Sequence, residues 1–258
     1  MIYDTIRYDL AEDVAVVTLA RPEVMNALSS QMRAEITHAV QQGGREARVV
    51  VLTGEGRAFC SGQDLGDRES AASIDLERVL RDEYIPMLNA IADCPRPTIA
   101  AVNGAAAGAG ANLALAADVV IAADSAFFMQ AFARIGLIPD AGGTWALPRQ
   151  MGLAKAMGTA LFADRISAAQ AERWGMIWEA VPDAEFDAVW RARAAHLAQG
   201  PSEAYARIKT ALRRAFDNDL QTQLTLEAQL QGECGMTRDF KEGVVAFHEK
   251  RSPRFEGR

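Results

Sequence analysis

Three short apolar runs recur in the first half of the chain: RVVVLTG ending at Gly54, TIAAVN at 98–103 and DVVIAA at 118–123. Each is apolar at consecutive positions rather than at alternate ones. That pattern belongs to strands covered on both faces, as in parallel sheets. Between the runs lie helical or small-residue stretches. Residues 76–92 show a helical pattern with Leu80, Ile85, Leu88 and Ile91 apolar, and Pro95 and Pro97 then break the chain. An Ala/Gly-rich helix is expected between the second and third runs. Strand, turn, helix, strand is the α/β signature, and the regular strand spacing predicts stacked turns. Two further β-rich runs, 6–10 and 14–20, suit a hairpin. The next helix is capped by Asn26 or Ser29 and carries Met32, Ile36 and Val40 on one face. Gly43 and Gly44 are expected to end it near Gln42.

Beyond about residue 140 the pattern is almost entirely helical. Phe186, Val189, Trp190, Ala194 and Leu197 form one apolar stripe, Pro201 opens another helix, and 219–234 is a third. A soft boundary near 198 separates a core, 1–198, from a helical region, 199–258. A chain of 258 residues, 50% of them apolar, can build one large domain or a core with a small appendage. No stretch of about 18 apolar residues predicts a membrane span, and charges interrupt the N-terminus too early for a secretory signal. Cys60, Cys94 and Cys234 form no CxxC pair and read as reduced thiols of a cytoplasmic protein. A net charge of −7 argues against a duplex nucleic-acid partner. Lys241, Lys250, Arg251, Arg254 and Arg258 nevertheless gather at the C-terminus, as a solvated tail or a local phosphate site.

Three segments place small residues where a buried strand ends: RAFCSGQDL (57–65), AVNGAAAGAGANLALAAD (101–118) and ARIGLIPDAGGTW (133–145). In the second, Gly104, Gly108 and Gly110 allow close helix–sheet packing, or let helix N–H groups meet an anion or developing oxyanion. It fits a dinucleotide fold badly, because Leu113 stands where a third glycine belongs. In the first, Gly62 allows a turn that could point the Gln63 N–H inward. In the third, Asp140 sits among apolar residues before a Gly-Gly turn. It either caps the following helix or, with a raised pKa, serves as a general base. No GxSxG supports a nucleophile-elbow hydrolase. His38, His196 and His248 are scattered, so no metal site is expected.

Taken in order, RPEVMNALS, VVLTGEGRAFCSGQDL, AVNGAAAGAGANLALAAD, IGLIPDAGGTWALPR, SAAQAERWGMIWEAV and FHEKRSPRF resemble the enoyl-CoA hydratase/isomerase (crotonase) superfamily over nearly the whole chain. The resemblance implies an α/β spiral of ββα turns followed by a C-terminal helical region that trimerises, giving a homotrimer or a dimer of trimers. It implies two oxyanion-hole amides, on Gln63 (where the family usually has alanine) and on Ala109. Contacts to coenzyme A would come from Glu23, Val24, Met25, Gly62, Asp64, Leu65 and Gly108. Phe247 and Lys250 of a neighbouring subunit would cover the adenine and phosphates. Coenzyme A would arrive as part of an acyl-CoA thioester substrate, with no permanently bound cofactor.

The departures from the family pattern narrow the reaction. Its hydratases use two glutamates, and those positions are Asn112 and Phe132 here. Asp140 stands where several family isomerases carry their acid/base. The implied activity is thus an isomerase of the branch acting on aromatic ring epoxides, with Asp140 moving the proton. The alternatives are an enoyl-CoA hydratase that recruits water through another group and a non-catalytic CoA-binding protein. Pocket walls are expected from loops around 66–85 and 128–145. Phe59, Phe127, Phe128, Phe132 and Trp145 would either line an aromatic acyl site or belong to the core.

Overall fold

The hairpin at the N-terminus turns on Glu12 and Asp13, both with positive φ (51° and 62°), the backbone that matches the twist of a two-residue hairpin. It joins β1 (Ile6–Ala11) to β2 (Val14–Leu19). Alternate residues of β2, Ala15, Val17 and Leu19, are fully buried. The computed structural model describes residues 2–66 and 75–258.

From β3 onward the chain lays down strands in pairs, one into each of two sheets. β3 (Val49–Gly54) is followed by β4 (Ala58–Cys60), β5 (Thr98–Val102) by β6 (Ala105–Ala107), and β7 (Val119–Ala123) by β8 (Phe127–Met129). Among the described residues, the larger sheet runs β1-β2-β3-β5-β7-β10 and the smaller β4-β6-β8-β9. From β2 to β10 the larger sheet is parallel. The expected spiral of ββα turns is therefore the observed architecture. The apolar runs have no polar face because β3 and β5 are buried on both sides.

Helix α1 (Ser30–Glu46) packs on β1, β2 and β3 of the larger sheet, capped by the Ser29 side chain on the Met32 amide (3.2 Å). Two expectations fail here. Asn26 is not the cap. Its fully buried amide instead donates to the carbonyls of Glu55, Ala58 and Phe59, pinning the 21–28 loop to β4. Gly43 and Gly44 do not end α1 but lie within it. A Cβ at Gly43 would stand 2.9 Å from that of Ala15, and one at Gly44 3.1 Å from the Cys94 sulfur. Close approach of the helix to β2 and to the 94–95 turn, not termination, is why glycine stands there.

The segment before β5 is helical as expected, in three pieces: α2 (Leu76–Val79), a π-helical turn (Leu80–Tyr84) and α3 (Ile85–Ala92). α4 (Ala109–Leu115) follows β6 and is buried throughout. The second half holds α5 (Gly143–Phe162), β9 (Ile166–Ser167), α6 (Ala168–Arg173), β10 (Glu179–Val181), and then α7 (Phe186–Ala198), α8 (Ser202–Arg214), α9 (Leu220–Gly235) and α10 (Arg238–Glu249). The short strands β9 and β10 interrupt the expected run of helix, and β10 completes the larger sheet beside β7. Phe186, Trp190 and Ala194 of α7 are buried as the stripe predicts. No helix among the described residues is long and apolar enough to cross a membrane.

Candidate active site

Leu28 pairs with Gln63 in an isolated parallel bridge. The Leu28 amide donates to the Gly62 carbonyl (2.8 Å), and the Asp64 amide to the Leu28 carbonyl (3.2 Å). The residue at the centre of such a bridge turns its own N–H and C=O to the opposite side. The Gln63 amide therefore faces away from Leu28. Gly62 makes the turn possible with φ 99°.

What adjoins this loop is the start of α4. Gly108, with φ 53° and ψ −128°, is the N-cap, and Ala109 is the first helical residue, whose amide has no acceptor within its helix. A Cβ at Gly62 would stand 3.3 Å from the Ala109 nitrogen and 2.8 Å from the Ala107 carbonyl oxygen. Gly110 lies against β4 just as closely: its Cβ would fall 2.3 Å from the Cys60 carbonyl oxygen. Among the described residues neither the Gln63 nor the Ala109 amide has a hydrogen-bond acceptor. Two unengaged donors thus lie on adjoining segments. Cys60 beside them is buried, and burial pushes its thiol up to about 12, so it is no nucleophile near neutral pH.

Asp140 is tied to α4 through its backbone. Its carbonyl accepts from the Asn112 side-chain amide (2.7 Å) and from the Gly143 amide (2.8 Å). The Asn112 oxygen in turn accepts from Gln130 (2.8 Å). A side chain at Gly143 would strike Asn112, 2.4 Å from its nitrogen. The Asp140 side chain is not a helix cap: Gly142 holds the N-cap position of α5 and no side chain caps that end. Its Oδ1 is instead buried without a partner among the described residues. Burial pushes its carboxyl up to about 6, against a smaller opposing effect of its own backbone amide. A carboxylate so placed holds and releases protons near neutrality.

The other acid of the region, Asp64, behaves oppositely. Its salt bridge to Arg21 (2.8 Å) holds its carboxyl below the usual range, with help from the Gly66 amide. Glu23, Val24 and Met25 lie on and after a 3₁₀ turn (Pro22–Val24). They are stitched to the 62–65 loop by the Ser61 amide donating to the Met25 carbonyl (3.0 Å). Val24, Met25 and Leu65 expose their apolar side chains. The structure thus brings together Glu23, Val24, Met25, Gly62, Gln63, Asp64, Leu65, Gly108 and Ala109. Phe247 and Lys250 sit apart at the end of α10, which packs on α9. Of the aromatic residues, Phe59 and Phe128 are core. Phe132 is buried outside the main core cluster, its ring edge 3.8 Å from where a Gly108 Cβ would be. Trp145 is half exposed and stacked on Arg149. Residues 67–74 of the expected 66–85 wall lie outside the described residues. No cluster of His, Cys, Asp or Glu able to hold a metal occurs among the described residues.

Sequence reasoning missed Arg33, Tyr84 and Gln130. Arg33 and Tyr84 meet the side chain of Gln63, and Gln130 meets Asn112. The one local signal for Arg33 was a charge placed directly beside the apolar stripe of α1.

Comparison with known proteins covers the whole chain. The family described as enoyl-CoA hydratase/isomerase matches residues 9–258. A Rhodobacter capsulatus protein named "Probable enoyl-CoA hydratase" is 65% identical over 258 residues, 100% of both chains. The 1,2-epoxyphenylacetyl-CoA isomerase of Escherichia coli K12 is 46% identical over 250 residues, 95% of each. The crystal structure of an enoyl-CoA hydratase from Bacillus anthracis superposes with a TM-score of 0.91 at 34% identity, covering 99% of this chain and 100% of that one.

Proposed function

Because the chain belongs to the enoyl-CoA hydratase/isomerase family, we propose that it is an acyl-CoA isomerase that moves a proton through a thioester enolate. The observation that carries this reading is the Asp140 carboxyl, with a buried, unpartnered Oδ1 and a pKa raised to about 6. Such a group takes a proton from the carbon beside the thioester and keeps it for return to another carbon. The amides of Gln63 and Ala109 donate to the thioester oxygen as negative charge develops on it. Glu23, Val24, Met25, Gly62, Asp64, Leu65 and Gly108 hold the coenzyme A part of the substrate. Phe247 and Lys250 of a neighbouring subunit close over its adenine and phosphates. No resident cofactor is required, and three free thiols suit work in the cytoplasm.

Isomerisation is favoured over hydration because neither residue at the two glutamate positions serves water chemistry. Asn112 is committed to Gln130 and to the Asp140 carbonyl, and Phe132 carries no exchangeable proton. The substrate proposed is 1,2-epoxyphenylacetyl-CoA, converted to the oxepin thioester. The 46% identity to the Escherichia coli isomerase supports it, as does the Phe132 ring beside Gly108. The second reading, hydration of an enoyl-CoA, is favoured by the name of the 65% identical relative. The two separate in one assay. An isomerase consumes the ring epoxide thioester and leaves the conjugated absorbance of crotonyl-CoA intact. Rapid loss of that absorbance would replace this reading with hydration. Binding of acyl-CoA with turnover of neither thioester would leave a non-catalytic binder.

A further inference from the structure

Gln63 is held by more than its own loop. Its side-chain Oε1 accepts from Arg33 Nη1 (2.9 Å) and from the Tyr84 hydroxyl (2.6 Å), while its Nε2 donates to the Asp64 carbonyl (3.2 Å). Arg33 comes from α1, and its side chain is 2% exposed. The same Nη1 donates to the Leu28 carbonyl (2.5 Å), the oxygen that also accepts the Asp64 amide. Its Nε and Nη2 grip Glu83 Oε2 (3.0 and 2.5 Å), Nη2 also reaches Ser30 (3.2 Å), and its guanidinium lies 4.7 Å from the centre of the Tyr84 ring. Glu83 and Tyr84 are neighbours on the π-helical turn, a rare geometry that concentrates at functional sites.

A buried arginine is tolerated only when its donors are met. Here they are met by one carboxylate, one hydroxyl and two groups that flank a single backbone amide. The Leu28 carbonyl holds the Asp64 amide just after Gln63, the Leu28 amide holds the Gly62 carbonyl just before it, and Arg33 and Tyr84 hold the Gln63 side chain between them. An alanine at position 63 has nothing for Arg33 or Tyr84 to hold. We infer that Arg33 and Tyr84 are positioning residues for the Gln63 amide: by locking the Gln63 side chain they aim its N–H at the thioester oxygen. The inference rests on the proposed role of that amide as an oxyanion donor.

Arg33→Ala would strip Glu83 of its two short bonds, leaving the Arg78 guanidinium at 3.9 Å, and endanger the fold, so the test uses Tyr84→Phe and Gln63→Met. Both keep the volume and remove one end of the lock. The carbonyl stretching frequency of a ¹³C-labelled, unreactive acyl-CoA is recorded free and bound, beside kcat, KM and melting temperature. Wild type lowers the frequency on binding. In both variants that shift shrinks and kcat falls about tenfold, a loss suited to a slightly misaimed donor. KM and melting temperature stay close to wild type. Gln63→Glu keeps an acceptor for both Arg33 and Tyr84 and recovers most of the shift and the rate. A full frequency shift and unchanged kcat in both variants, with the shift present in wild type, overturn the lock but leave the amide's role standing. No shift in wild type removes the role of the amide, and the lock with it.

Discussion

A carboxylate that takes a proton from carbon and returns it must be basic near neutral pH and slow to exchange with water. Asp140 meets the first condition because burial raises its pKa to about 6. A buried, unpartnered Oδ1 serves the second. Two measurements follow. First, kcat/KM should rise with pH through about 6 and level off above it, because the ionised form is the base; an inflection near the ordinary carboxylate value would detach Asp140 from the profile. Second, Asp140→Asn should lose nearly all turnover without losing the fold. The sign of the stability effect is fixed by the raised pKa. Protonated Asp140 is the form the folded state prefers, so its stability contribution is full below the ordinary carboxylate pKa and is lost as pH rises through about 6. The Asn variant should therefore melt no lower than wild type at pH 8. Retained turnover would reject Asp140 and shift attention to water, since Asp64 is held acidic by Arg21. Asp140 was legible in the sequence as an acid among apolar residues. Its alternative as a cap was not decidable there, because a cap depends on backbone angles, and these place Gly142 at the helix end.

At the scale of elements, the site depends on a helix that cannot retreat. α4 is pressed on β4 through Gly110, with no room for a Cβ beside the Cys60 carbonyl. Ala109, first in that helix and almost fully buried, presents its amide at the edge of the Gly62 turn. Ala109→Val should keep the substrate carbonyl from that amide and slow turnover by about 10²–10³-fold, the usual cost of one lost donor of this kind. Unchanged turnover in a folded variant would put the donor elsewhere. The longer strands and most helices here were legible, because buried parallel strands and amphipathic helices write themselves in consecutive or periodic residues. The hairpin, β3, β5 and β7, and the α7 stripe all stand near where the pattern puts them. Gly43 and Gly44 misled, because a glycine needed for close packing on Ala15 and Cys94 looks the same in sequence as one that ends a helix. β9 and β10 escaped because two or three residues are too few to show a period. The Arg33–Glu83 contact spans 50 positions and the Tyr84–Gln63 contact 21. No local pattern reports such pairings.

At the scale of the molecule, an acidic chain must gather positive charge locally to hold the phosphates of coenzyme A. The sequence offers Lys250 and Arg251 together, but the structure separates them. Arg251 is engaged by Glu242 and Glu249. Lys250, left-handed at the C-cap of α10, makes no ion pair among the described residues. Lys250→Ala should raise KM several-fold and leave kcat nearly unchanged, because the contact is the same in ground and transition states; a fall in kcat at constant KM would contradict that assignment. Under the proposed assignment the contact is made to a second subunit's substrate. α8, α9, α10 and the turn after α8 leave Leu212, Phe216, Leu220, Phe240 and Phe247 exposed, Phe247 at 81%. A groove of about 980 Å³ among these helices is lined by Ile208, Leu224, Phe240, Val244 and Phe247. A second of about 670 Å³, between α8 and the α3–α5 side of the core, is lined by Leu88, Trp145, Ile208, Leu212 and Phe216. Exposed apolar side chains gathered around two grooves suit a face that packs against another chain. Copies of the chain packed through these helices would cover it and carry Phe247 and Lys250 to a neighbour's coenzyme A loop. Light scattering at micromolar concentration should accordingly report three chains or six. Dilution that yields monomers should raise KM together with the loss of mass, because each monomer then lacks its neighbour's Phe247 and Lys250. A monomeric mass with undiminished affinity for acyl-CoA would show that the α10 face serves neither association nor substrate, and would return the phosphate site to the chain's own residues.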